Sequence, residues 1–229
     1  MGENHPVFAT TLNNLAAVYG RSGDNDRAEP MFERALEVWK ASLGEDHPHV
    51  ATALLNLSNL YRAQGRTEVA RQLAYRALAA AEDAYGPEHT GVGQARYNLG
   101  EVLAAAGDLD EAEQNFRESL RIHEQALSPE HSQVLAVLAR LARLARDQGD
   151  FKAAARGHER VVEALERKHG SESPELVQPL LEVCTSLQGA SDFEGALEVS
   201  RRAAAIGDAT YGTSDPRTLR AQVVVAGAL

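Results

Sequence analysis

Eight histidines are the residues best able to do chemistry in this chain, because a neutral imidazole binds transition metals and exchanges protons near neutral pH. Four of them, His5, His47, His89 and His131, stand 42 residues apart, and Ser173 and Asp215 continue the series. One imidazole per repeat of a stacked chain sits a repeat width from the next, so these side chains are not expected to converge on one ion. His47 and His49 are close in sequence, yet with Pro48 between them and no cysteine nearby they form an incomplete zinc set, and loop and cap roles are expected. The run Asp108-Leu109-Asp110-Glu111 lacks the glycine and the distant bidentate glutamate of a calcium loop, and reads as a helix cap. Cys184 has no histidine within helical reach to lower its pKa, and reads as a small buried hydrophobe. Carboxylate pairs such as Glu29/Glu33 and Glu111/Glu113 read as a solvated helix face. No GxGxxG, P-loop, GxSxG or HExxH pattern occurs. The expectation is a protein with no catalytic residue, no metal and no cofactor.

Composition narrows the class of partner. The 229 residues include 23 Lys and Arg against 33 Asp and Glu, a net charge of −10, which argues against nucleic acid. A single cysteine excludes an internal disulfide, and the opening MGENHPVF has neither the basic nor the apolar stretch of a signal peptide, so a reducing, cytoplasmic setting is expected. No apolar run approaches the ~20 residues of a membrane span. At 44% hydrophobic, the composition is that of an ordinary folded chain.

The spacing of 42 extends well beyond histidine. Gly23, Gly65, Gly107 and Gly149 keep it, with Ser191 in the fifth slot; Gly44, Gly86, Gly170 and Gly212 keep it, with Ser128 as the substitute; Ala28, Ala70, Ala112, Ala154 and Ala196 recur without change. A fixed period of this length is the signature of a repeat architecture. One solenoid over residues 1–229 is expected, with copies at 5–46, 47–88, 89–130, 131–172 and 173–214 and a partial sixth at 215–229.

Within each copy two helices are expected. From Pro6 to Tyr19 the apolar residues fall at helical spacing, and a proline in the first turn is preorganised for it. The preceding residue should be the N-cap, which explains why Ser and Asp can stand in for His: each offers a side-chain acceptor to the free N–H groups. The Gly23-Asp24 turn should end this first helix and cap a second, running roughly from Asn25 to Leu43, and Glu111 three residues after Asp108 suggests a capping box. Ala16, Ser58, Gly100, Ala142 and Cys184 share one small-residue site where the two helices should approach closely. No segment alternates with a period of two, so an all-α protein is expected.

Leu15-Ala16, Tyr19, Gly23, Ala28, Phe32 and Ala35 resemble the tetratricopeptide repeat pattern, and the stretch HPVFATTLNNLAAVYGRSGDNDRAEPMFERALEVWKASLGEDHP is similar to the longer repeat of kinesin light chains. The likeness spans residues 5–229. Later copies depart from it: Phe32 becomes Ala74, Phe116, His158 and Ser200, and Arg96 stands where other copies have leucine. The resemblance implies an α-solenoid of stacked antiparallel helix pairs whose first helices line a concave face that binds a peptide segment of a partner protein.

Positions four, seven and eleven apart share a helix stripe, which selects Thr10, Asn14, Ala17 and Arg21 in the first copy. Stepping by 42 yields Asn56 and Asn59, then Asn98 and Glu101, then Arg140 and Arg143, then Glu182. Asn14, Asn56 and Asn98 form a ladder of amides, each both donor and acceptor, suited to the backbone of an extended peptide. Arg62, Arg140, Arg143 and Arg146 fall toward the same face, where guanidinium forks fit carboxylates. The expected peptide-binding residues are therefore Asn14, Asn56, Asn59, Asn98, Arg62, Arg140, Arg143 and Arg146, and the expected partner is a protein or peptide, with acidic residues favoured. The alternative is a self-assembling or ligand-sensing module cut from a larger regulatory protein, associating through the apolar stretch Val223–Leu229.

Overall fold

Helix starts recur every 42 residues because the same capping chemistry recurs there. The computed structural model describes Gly2 and residues 4–227, the side chains of 224–227 excepted. Among the described residues the α-helices are α1 (Pro6–Arg21), α2 (Asn25–Leu43), α3 (Pro48–Ala63), α4 (Thr67–Tyr85), α5 (Thr90–Ala106), α6 (Leu109–Ala126), α7 (Ser132–Asp147), α8 (Phe151–His169), α9 (Val177–Gly189), α10 (Phe193–Tyr211) and α11 (Pro216–Gly227). A short 3-10 turn, Pro174–Leu176, leads into α9. No strand occurs among the described residues, and the fold is an α-solenoid of consecutive helix pairs.

His5, His47, His89 and His131 each cap an odd-numbered helix: Nδ1 accepts the N–H two residues on, at 3.2, 3.2, 3.0 and 3.3 Å. Ser173 accepts from Glu175 N–H at 3.4 Å and Asp215 from Arg217 N–H at 2.9 Å, so hydroxyl and carboxylate do the same work. Bonded also to the Arg217 side chain, the Asp215 carboxyl is held down to about 2. The even helices start on Asp24, Asp150 and Asp192, which accept from N–H groups three residues on at 3.4, 2.9 and 3.0 Å. The expected Asp108/Glu111 capping box gives way to tertiary bonds: Asp108 takes Arg71 of α4 at 3.3 Å, and Glu111 accepts the Tyr75 hydroxyl.

The chain divides into two compact units, Met1–Ala126 with α1 to α6 and Leu127–Leu229 with α7 to α11. In both, each odd helix presses against the even helix that follows it at the small-residue site. Ser58 Oγ donates to Ala70 O at 2.8 Å and Cys184 Sγ to Ala196 O at 3.4 Å. In each bond the acceptor belongs to one of the recurring alanines, all of which are buried. A Cβ on Gly100 would stand 2.7 Å from the Phe116 ring, so the third copy needs glycine there to admit the aromatic. Ala35, Val38 and Trp39 of α2 pack with Val50, Ala53 and Leu54 of α3, and Ala81 of α4 with Val92 and Ala95 of α5; each pair thereby buries an apolar face that it cannot cover alone. In the second unit Val162 of α8 joins Leu176, Leu180, Val183 and Ala203.

Candidate functional site

Within the first unit α3 lies against both α1 and α5, while α2, α4 and α6 are spread further apart, so the odd helices make the inner wall. Side chains that tie α3 to its neighbours fix its direction. The Tyr61 hydroxyl donates to Glu29 at 3.0 Å and to Glu33 at 3.1 Å, and Gln64 and Arg66 also bond Glu29, at 3.1 and 2.9 Å. Burial, reinforced by the two carboxylates, pushes the Tyr61 phenol well above its usual range. Burial alone would raise Glu29, but the bonds from Gln64, Arg66 and Tyr61 hold it below the ordinary carboxylate value. Between α4 and α5, Arg96 bridges to Glu82 at 2.8 Å. The arginine that replaces leucine in this copy thus carries a tie between helices.

Two clefts open on this wall. One, of about 350 Å³, lies between α3 and α5 with a base of Ala51, Leu55 and Ala81 and a rim of Thr52, Asn56, Asn59, Gln94 and Asn98; Tyr85 and Gly91 close one end. The other, of about 280 Å³, lies between α1 and α3 over Phe32, with Ala17, Gly20 and Arg21 on one side and Asn56, Asn59 and Leu60 on the other. Asn56 and Asn59 serve both. Three of the four expected asparagines therefore meet at one place. Asn14 is exposed on α1 and lines neither cleft, whereas its neighbour Asn13, buried, accepts the Asn56 amide at 2.8 Å. Asn13 escaped the stripe argument, although its polarity where other copies carry Leu55, Tyr97, Ala139 and Leu181 is the sign that marks it. Asn98 is 6% exposed and accepts from Gln94 at 3.1 Å. Arg62 faces Glu101 at 3.9 Å, the contact of a weak ion pair.

The remaining arginines belong to the second unit. Arg140, Arg143 and Arg146 follow one another along α7; Arg143 stands 4.0 Å from Asp147, and Arg146 reaches Glu182 of α9 at 2.7 Å. Beneath this pair lies His158 of α8, at the position Phe32 holds under the smaller cleft of the first unit. It is 5% exposed, and its Nε2 has no hydrogen-bond partner. Burial lowers its pKa; Glu182 pulls the other way and Arg146 adds to the lowering. Glu182, which burial alone would raise, is held below the usual carboxylate range by Arg146, His158 and Gln178. Among the described residues no three His, Cys, Asp or Glu side chains gather as a metal site, and no helix is long and apolar enough to cross a membrane.

The family model described as tetratricopeptide repeat matches residues 7–83, 50–125 and 91–167. No curated protein matches the chain. Among solved structures, a kinesin light chain protein of Podosopora anserina with nearly identical TPR-like repeats superposes with a TM-score of 0.79 at 24% identity, covering 90% of this chain and 98% of the other. BtubC (BKLC) of P. vanneervenii superposes at 0.80 and 22% identity over 90% and 82%, and the apo form of RapI at 0.73 and 15% over 96% and 82%. At these identities the likeness is one of fold. With the family model covering well over half its length and the paired helices following the same period, the chain belongs to the tetratricopeptide repeat family, with repeats of the kinesin light chain kind.

Proposed function

We propose that the inner wall of the first unit binds an extended or short helical segment of a partner protein, and that Asn56, Asn59 and Asn98 hold its backbone. Tetratricopeptide repeats typically mediate protein–protein interaction, and the finer assignment rests on the meeting of Asn56, Asn59, Asn98 and Gln94 around one cleft of about 350 Å³ with an apolar base. Amides at a rim can pair with backbone N–H and C=O whatever the peptide's side chains are, while a base of Ala51, Leu55 and Ala81 accepts an apolar side chain. The bonds Asn56–Asn13 and Gln94–Asn98 hold the amides in place before a ligand arrives, which reduces the side-chain entropy lost on binding. Arg62 adds a preference for acidic side chains on this wall, and Arg140, Arg143 and Arg146 give α7 of the second unit the same preference on its own. Arg146 and Arg62 already face Glu182 and Glu101, so the preference is modest.

The test begins with a peptide array that identifies a binding segment. Asn56→Ala with Asn98→Ala should then weaken its capture at least tenfold with the helical circular dichroism unchanged; undiminished affinity would refute the assignment. A second reading, self-association, draws on the exposure of Leu219 and Val223 on α11; the side chains of residues 224–229 lie outside the described residues. Sedimentation over a concentration series decides it, and a monomer throughout removes it.

A further inference from the structure

In three copies the even helix reaches back to the loop just ahead of that copy. From α6, Arg121 donates to both carboxylate oxygens of Glu88, at 2.7 and 3.0 Å. From α8, Arg167 Nε donates to Glu130 at 2.9 Å, and from α2, Arg34 donates to the Asn4 amide oxygen at 2.8 Å. Asn4, Glu88 and Glu130 hold one place in the 42-residue period, and the next residue of that series is Glu172. Here the bond is missing, as it is at Asp46 ahead of the second copy: α10 carries Ala205 where α6 has Arg121, and Ala209 where α8 has Arg167. Among the described residues Glu172 has no hydrogen-bond or ion-pair partner.

The two alanines leave open space beside this carboxylate. A cavity of about 450 Å³ lies between Ser171 and Glu172 of the loop and Arg202, Ala205, Ile206 and Ala209 of α10. Arg202 is already engaged, since it donates to Ser171 O at 2.8 Å and pairs with Glu166 of α8. What remains is an apolar floor of Ala205, Ile206 and Ala209 leading to an unpaired acid. A ligand that lays an aliphatic stem on such a floor and ends in a cation has the form of a long basic side chain. We infer that this cavity takes an arginine side chain of a partner protein, its stem on the alanines and its guanidinium on Glu172, supplying from outside what Arg121 and Arg167 supply from within. Arginine is preferred to lysine because the two bonds of Arg121 to Glu88 need a planar fork, which an ammonium group lacks. The site differs in residues and in the charge it selects from the amide-lined wall of the first unit. An exposed ion pair contributes little by itself, so this arginine is one anchor within a wider contact.

The probe is arginine capped as its N-acetyl methylamide, titrated to millimolar concentration into the full chain and followed through the NMR shifts of the Ala205 and Ala209 methyl groups. Saturable shifts that weaken about tenfold or more in Glu172→Gln, and that the capped lysine analogue reproduces only weakly, support the site. Ala209→Arg places a guanidinium there from within, as Arg167 does, and should abolish binding of the probe. Glu172 and Ala209 are exposed, so circular dichroism should be unchanged in both variants. Unchanged affinity in Asn56→Ala with Asn98→Ala separates the site from the inner wall. Shifts that do not saturate, or that are indifferent to Glu172→Gln, overturn the proposal. So does tighter binding of free arginine than of the capped residue, which would make the amino acid itself the ligand.

Discussion

At the scale of single residues, His158 and Ser191 are where the chain departs from its own pattern at a physical cost. His158 occupies the Phe32 and Phe116 position as a buried neutral imidazole. Its folded pKa lies below the unfolded value of about 6.5, so the unfolded chain takes up the proton first, and stability is lost as pH falls below about 6.5 toward the folded value. His49, also lowered, by burial and by His47, adds to the same slope. His158→Phe should flatten the drop in melting temperature between pH 7 and pH 5 without abolishing it; an unchanged slope would show that His158 does not contribute. Ser191 sits at φ 63° where the other copies place glycine at φ between 74° and 91°. An L-residue there costs about 1–2 kcal/mol, so Ser191→Gly should stabilise by about 1 kcal/mol in urea unfolding.

Among the elements, the caps and the small-residue site make the more specific statements. Because imidazole, hydroxyl and carboxylate all cap the odd helices in this molecule, His89→Ser should be nearly neutral, whereas His89→Ala should cost about 1 kcal/mol through the unpaired N–H. A large loss in the serine variant, measured by thermal melting, would point to a role for the imidazole beyond capping. Ala112 is fully buried at the contact of α6 with α5. Ala112→Leu should overpack that contact and cost about 1–3 kcal/mol. The failed capping box at Asp108 belongs to this scale as well. Local spacing favoured a carboxylate folding back on its own helix, but α4 brings Arg71 and Tyr75 within reach, and those partners take both acids.

For the molecule as a whole, a solenoid's stability is close to a sum of repeat and nearest-neighbour terms. Trp39 is buried between α2 and α3, and its Nε1 donates to Pro6 O at 3.3 Å, so it ties three helices of the first unit. Trp39→Ala should cost about 3–5 kcal/mol and remove amide-exchange protection from α1 to α3 while α9 and α10 keep theirs. Uniform loss along the chain would mean that the helices unfold as one cooperative body.

By itself the sequence determined the helices, their order, most of their caps and the residues at which each pair closes, because a 42-residue period repeats the same local chemistry and local chemistry sets helix ends. It also brought Asn56, Asn59 and Asn98 to one face, since residues a helical stripe and a period apart are neighbours in any stacked array. Other assignments needed coordinates. Whether an amide faces a cleft, as Asn56 does, or solvent, as Asn14 does, depends on a rotation of less than one residue about the helix axis, which no periodicity resolves; hence Asn13, one position away, became Asn56's partner. The pairing of Arg146 with Glu182 over His158 likewise arises between helices distant in sequence. Only packing decides which charges a buried group meets.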